Sequence, residues 1–231
     1  MVVLELPKNQ KLRLQTNRNL RSNEMTLGPL IIVSGPSGSG KSTLIKRALG
    51  HFGPRLRHAI SATTRAPRPG ERDGREYYFV TREAFEKAIG EGDLLEWASV
   101  FDNLYGTPRG PVEAALASGR DVLFDVDWQG ARALRAASAA DVVGVFILPP
   151  DMAELERRLH VRAQDDAAVI ARRMAKSADE IKHWDEYDYV LVNRDLDETD
   201  THLKEILSAE RQKRARQTWL APFVQELLKK P

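Results

Sequence analysis

The sequence predicts an α/β protein in which a parallel β-sheet is wrapped by helices. Three observations predict it. Short apolar runs alternate with helical segments along most of the 231 residues. A glycine-rich loop joins the first apolar run to the first helix. The alternation breaks between about residues 62 and 115, which marks an inserted lobe.

Leu30–Ser34 is an apolar run ending at a glycine, the pattern of a buried strand entering a turn. Ser42–Leu49 reads as the helix that follows, and Arg57–Ser61 as a second strand. Residues 62–76 carry Pro67, Pro69, Gly70 and Gly74, so they read as ordered loop or turns. Tyr77–Val80 reads as a strand. Thr81 is placed to cap a helix over Arg82–Ile89, with Glu83 and Glu86 suited to its early turns. Asp121–Val126 alternates, with Val122, Phe124 and Val126 on one face. Val142–Leu148 is nearly continuous apolar sequence, as in a central parallel strand. Asp151 should cap a helix over Met152–His160. Tyr189–Val192 is a last short strand, and Thr199–Arg216 a closing helix.

Composition narrows the class. The chain is 42% hydrophobic and 29% charged, which suits one compact domain with a sizeable core. No apolar run approaches the roughly 18 residues that cross a bilayer, so no membrane partner is expected. Cysteine is absent, which excludes disulfides, thiolate zinc sites and a cysteine nucleophile, and fits a cytoplasmic location. Residues 1–24 hold five basic and two acidic side chains, and residues 209–231 hold six and two. The body between them is therefore acidic, which disfavours nucleic acid as a partner. Residues 1–24 show no steady apolar period and lack the apolar core of a secretory signal. A disordered, dispensable tail over residues 1–27 is the preferred reading. An upstream start before Met25, or a weak transit segment, is the alternative. The basic stretch Arg211–Arg216, within a C-terminal extension over 209–231, reads as a solvated helix face.

Gly35-Pro36-Ser37-Gly38-Ser39-Gly40-Lys41-Ser42 fits the phosphate-loop pattern completely, and it lies between a predicted strand and a predicted helix. Glycines let the backbone curl until several N–H groups face one anion. The helix start adds partial positive charge. Lys41 suits the outer phosphates of a nucleotide and the Ser42 hydroxyl suits Mg²⁺. GTPase, ATPase and kinase all remain open on this loop alone.

A second constellation narrows them. In Ser61-Ala62-Thr63-Thr64-Arg65-Ala66-Pro67-Arg68-Pro69-Gly70-Glu71, two arginines bracket a stiffening proline, an arrangement suited to gripping a phosphate. Tyr77 adds a neutral hydroxyl. The competing reading is that Arg65 or Arg68 only pairs with Glu71 or Asp73.

With these residues the chain resembles the guanylate kinase family. The likeness continues through Leu95-Glu96-Trp97, Asn103-Leu104-Tyr105-Gly106-Thr107 and Leu123-Phe124-Asp125-Val126-Asp127-Trp128-Gln129-Gly130. It runs on through Ile147-Leu148-Pro149-Pro150 to Val192-Asn193-Arg194-Asp195-Leu196, and covers about residues 28–208. It implies a P-loop NTPase core, an inserted GMP-binding lobe and a helical lid over about 158–175. It implies Mg·ATP as donor, GMP as acceptor, and a monomer or homo-oligomer. By resemblance, Ser61, Glu96 and Thr107 hold guanine, and Arg65, Arg68, Tyr77 and Tyr105 hold the GMP phosphate. Asp125 lies near the Mg²⁺ water shell, Asp127 near the guanine amine, and Asn193 near adenine. Arg158, Arg162 and Arg173 close over ATP from the lid. Where the family often has Arg-Gly at the lid turn, this chain has Arg162-Ala163. The chemistry agrees with the base. A carboxylate at Glu96 accepts from guanine N1–H and N2–H, and the hydroxyls of Ser61 and Thr107 serve O6, whereas adenine would leave buried groups unpaired. Two rivals stand beside this reading: a guanylate-kinase-like interaction module, and a kinase of another phosphate ester such as a ribose phosphate. The histidines show no metal-ligand spacing, and the four tryptophans read as packing residues.

Overall fold

The computed structural model describes residues 26–100, 102–138, 141–162 and 167–229. The expectations for residues 1–24 and for the turn at Ala163 lie outside the described residues. The chain runs β1 (Leu30–Ser34), α1 (Lys41–Phe52), β2 (Leu56–His58), β3 (Ala62–Thr63), β4 (Tyr78–Phe79), α2 (Arg82–Glu91), β5 (Leu94–Val100), β6 (Asn103–Pro108) and α3 (Arg109–Ala117). It continues with β7 (Asp121–Asp125), α4 (Trp128–Ser138), β8 (Val142–Leu148), α5 (Met152–Arg162), α6 (Ala167–Ile181), β9 (Tyr189–Val192), α7 (Leu196–Gln212) and α8 (Leu220–Lys229).

The main sheet is parallel throughout, in the order β2-β7-β1-β8-β9. Every residue of β1 is buried, because helices cover both faces of the sheet. Successive side chains along a strand point to opposite faces. Leu30 and Ile32 therefore join Val122, Phe124 and Leu134 in one core, which Val112 and Leu116 of α3 complete. Ile31 and Val33 join Leu44, Ile45, Val145, Ile147, Leu203 and Leu207 in the other, under α1 and α7.

A second sheet, ordered β4-β3-β6-β5, mixes one parallel and two antiparallel pairings. Its own small core holds Ala62, Phe85, Leu94 and Leu104 beneath α2. The register shifts between Leu94 and Glu96. That irregularity lets neighbouring residues serve different places: Leu94 enters the small core, Leu95 the main one, and Glu96 the interior between them.

The caps at Thr81 and Asp151 form as expected, accepting from Ala84 N (3.2 Å) and Glu154 N (2.8 Å). Three expectations are corrected. The strand expected over Arg57–Ser61 stops at His58, because the chain turns off to the second sheet, where Ala62 pairs with Tyr78 and Gly106. The last long helix starts at Leu196, since Asp195 caps it by accepting from the N–H groups of Asp197 and Glu198. It ends at Gln212, and Arg214–Arg216 forms a separate short turn. The basic stretch there is only partly a solvated face. Arg211 pairs with Asp121. Arg216 is buried, donates to Asp141 O (3.2 Å), and receives the Leu27 N–H on its own carbonyl (2.8 Å). Helix α8 buries none of its side chains and exposes Phe223, Val224, Leu227 and Leu228. Among the described residues no helix is long and apolar enough to cross a membrane.

Candidate active site

The phosphate loop leaves β1 at its carboxyl end, where open α/β sheets place their sites. Ser34 ties that end to the neighbouring strand exit by donating to Val126 O (2.6 Å). Gly35 has φ 135°, and a Cβ there would sit 2.2 Å from Ile147 O, so no side chain fits. Gly40 has φ 101°, and a Cβ there would meet the Asn193 amide nitrogen at 2.2 Å. That amide is buried and donates to Ser39 O (2.7 Å), so Asn193 clamps the loop from β9. The Lys41 ammonium donates to Gly35 O and to Pro36 O (3.1 Å). Ser42 is exposed in the first turn of α1 and Ser37 is exposed at the loop crest. The buried Ser39 hydroxyl finds no hydrogen-bond partner among the described residues.

The second sheet builds a separate pocket floor. Glu96 is 6% exposed, and Thr107 donates to its Oε1 at 2.7 Å across the β5–β6 pairing. Burial pushes the Glu96 carboxyl from its ordinary 4.5 up to about 7; the Thr107 hydrogen bond works against that, and the charge of Asp127 adds to it. A threonine hydroxyl has one proton. Here it is spent on Glu96, so Thr107 can only accept from a base, and donation to O6 requires that proton to be turned away. Ser61 lies half-buried at the entry to this sheet, with its carbonyl receiving Tyr78 N (2.9 Å).

Arg65 does pair with Glu71, bidentately through Nη2 at 2.9 Å to each oxygen, while Nη1 donates to Ala66 O (2.7 Å). It lies over the rings of Tyr77 (5.4 Å) and Phe79 (5.8 Å). Burial works against its charge, but the Glu71 carboxylate and the Tyr105 phenol outweigh it and raise its pKa. Arg68 is exposed, and its backbone N–H donates to Glu71 Oε2 (2.7 Å). Glu71 therefore sets the turn that carries both arginines. Tyr77 and Tyr105 meet edge to face at 6.0 Å. Burial raises the Tyr77 phenol, so it remains a neutral donor.

Asp125 ends β7 and is exposed. Asp127 is not on that strand, so the two carboxylates do not share a face through strand alternation. Asp127 instead caps α4, with Oδ1 accepting from Gln129 N and Gly130 N at 3.1 Å each.

Helix α5 flanks the loop, for a Cβ at Gly38 would touch Leu155 (3.0 Å) and Leu159 (3.5 Å). Arg158 on α5 donates to Glu154 Oε1 (2.7 Å), and Arg157 binds the same carboxylate. The Arg157 and Arg158 guanidinium groups hold Glu154 at about 2. The Arg162 side chain lies outside the described residues. Arg173 is half-buried on α6. Sequence reasoning missed Glu180 on the same helix. Burial raises its carboxyl, while the charges of Lys41 and Lys176 lower it and that of Asp127 raises it. It also missed the organising part of Glu71. Only the fold brings the charge of Lys41 to bear on Glu180, whereas the nearness of Glu71 to Arg65 was open to view.

A parallel sheet headed by a phosphate loop, joined to a second sheet that carries the Arg65–Glu71 and Glu96–Thr107 pairs, defines a P-loop phosphotransferase. The guanylate kinase family profile matches residues 28–210. A guanylate kinase of Cereibacter sphaeroides is 59% identical over 201 residues, 87% of this chain and 95% of that protein. One of Nitrobacter winogradskyi is 56% identical over 87% of this chain and 91% of its own. The crystal structure of guanylate kinase from Anaplasma phagocytophilum superposes with a TM-score of 0.72 at 36% identity, over 89% of this chain and 97% of that one. The chain belongs to the guanylate kinase family.

Proposed function

We infer that the protein transfers the terminal phosphate of ATP to GMP, giving ADP and GDP. The observation that carries the acceptor is the buried Glu96–Thr107 pair in the second sheet, an acceptor-rich site matched to the two donors of guanine. A phosphate oxygen of GMP attacks the γ-phosphorus in line as the bond to the ADP oxygen breaks. That oxygen is already anionic, so no general base is needed.

Residue roles follow. Residues 35–42 hold the ATP phosphates, with Lys41 on the outer ones. Arg65, Arg68, Tyr77 and Tyr105 take the GMP phosphate; Ser61, Glu96, Thr107 and Asp127 take the base. Arg158, Arg162 and Arg173 add cations as a lid over about 158–175 closes and excludes water. The lobe over about 62–115 moves as the acceptor arm. Asn193 contacts adenine from beside the loop it clamps. Mg²⁺ fits this donor set, since it takes hard oxygens and keeps several waters, here the Ser42 hydroxyl and, through water, Asp125. When bound it supplies charge neutralisation between the outer phosphates. Among the described residues no cluster of three or more His, Asp or Glu gathers, and Mg²⁺ shared with substrate phosphates needs none. A cytoplasmic reaction on small molecules, with dGMP as a second acceptor, completes the proposal. A coupled assay of GMP, dGMP, AMP and UMP with Mg·ATP tests it; turnover of AMP or UMP equal to GMP would overturn it.

A further inference from the structure

Gly130 lies in the first turn of α4, two residues after Trp128, and is buried. Its backbone does not require glycine, because its φ is not in the left-handed region. Its N–H donates to Asp127 Oδ1, a bond any residue but proline could make. Helix propensity favours alanine at such a position. What excludes a side chain is space. A Cβ at Gly130 would lie 3.0 Å from Val126 Cβ and 3.2 Å from Glu96 Oε2.

The second contact bears on the base site. Thr107 holds the other oxygen, Oε1. A methyl at residue 130 would press on Oε2 while Oε1 stays tethered, and so turn the carboxylate plane. We propose that Gly130 is a positioning residue for guanine selectivity: it leaves the space that lets Glu96 present both oxygens to the base at once. The proposal rests on Glu96 reading the base. Guanine N1–H and N2–H need the two oxygens side by side. A base with N1–H and no 2-amino group needs only one, so it is less sensitive to the turn.

The test compares GMP with inosine 5′-monophosphate, which lacks the 2-amino donor, as acceptors for the wild type, Gly130→Ala and Glu96→Gln. For Gly130→Ala the loss of one charge-assisted hydrogen bond should lower kcat/KM for GMP about tenfold or more, with the inosine value changed by less than about threefold. The variant should stay folded, since the better helix propensity of alanine offsets part of the tight contact with Val126. Glu96→Gln, which keeps a single acceptor, should shift the GMP to inosine ratio the same way. If Glu96→Gln leaves that ratio unchanged, the base reading itself fails. If it shifts the ratio and Gly130→Ala does not, only the role of Gly130 fails. A parallel fall for both acceptors, or loss of the folded state in Gly130→Ala, would also overturn it, because the glycine would then be serving the fold.

Discussion

Lys41 brings a full positive charge into the phosphate loop itself, and its ammonium is braced on two carbonyls of that loop. Lys41→Met should keep the fold and lower turnover about a hundredfold or more, since transition-state charge is stabilised chiefly by positioned cations. Near-normal turnover in a folded variant would remove the loop from the mechanism. Glu96 makes a different prediction. Its raised pKa means the neutral acid persists in the free protein up to about pH 7, so its contribution to stability is full below about 4.5 and is lost as pH rises through about 7. On the proposed function guanine binding runs the other way, because it would use the ionised form. The GMP dissociation constant should therefore be about tenfold weaker at pH 6 than at pH 8. Calorimetry in buffers of different ionisation heat should show proton release on binding, and a flat profile would mean Glu96 is already ionised. At this scale the motifs nominate residues but not their state. The Arg65–Glu71 pair could be raised from spacing alone, whereas that Thr107 spends its proton on Glu96 depends on side-chain packing no spacing reveals.

Between residues and molecule, the strands differ in how openly the sequence announces them. β1, β8 and β9 have the bounds expected, because strands in a covered parallel sheet read as plain apolar runs. β5 was not foreseen, and its burial explains why: Glu96 faces inward while Trp97 is 48% exposed. A strand that carries a polar site on its inner face inverts the usual pattern. β9 also delivers Asn193 to the loop, and that join is testable. Asn193→Ala would strand the Ser39 carbonyl, costing about 1–3 kcal/mol of stability, and should raise the ATP KM more than the GMP KM. Equal changes in both constants would make the clamp a general scaffold. On α5, Arg158 is already oriented by Glu154. If Arg158 acts from the lid as proposed, Arg158→Ala should lower kcat by a larger factor than it raises the GMP KM, because its charge would be needed as the phosphate moves. A rise confined to the GMP KM would reassign it to the acceptor side.

For the whole chain, the family match begins at residue 28 and the main core at Leu30. A chain starting at Met25 keeps the Thr26–Gln217 bridge and the Leu27–Arg216 bond, so it should retain full activity and the same melting temperature. A lower melting temperature would show that the preceding residues pack on the body. The overall architecture was legible because alternation and one loop suffice for it. Of the second sheet only Tyr77–Val80 was legible as a strand, the rest showing as an interruption, since β3 spans two residues and β5 inverts the usual burial pattern. Strand order has a further consequence, for synthesis. Among the described residues β1 is the first strand made, yet its partners are β7 and β8. At roughly 5–20 residues per second, the ribosome needs several seconds or more after Ser34 before Leu148 exists. Through that interval the nascent chain carries Leu30-Ile31-Ile32-Val33 with both edges open, and its sheet can close only late in translation.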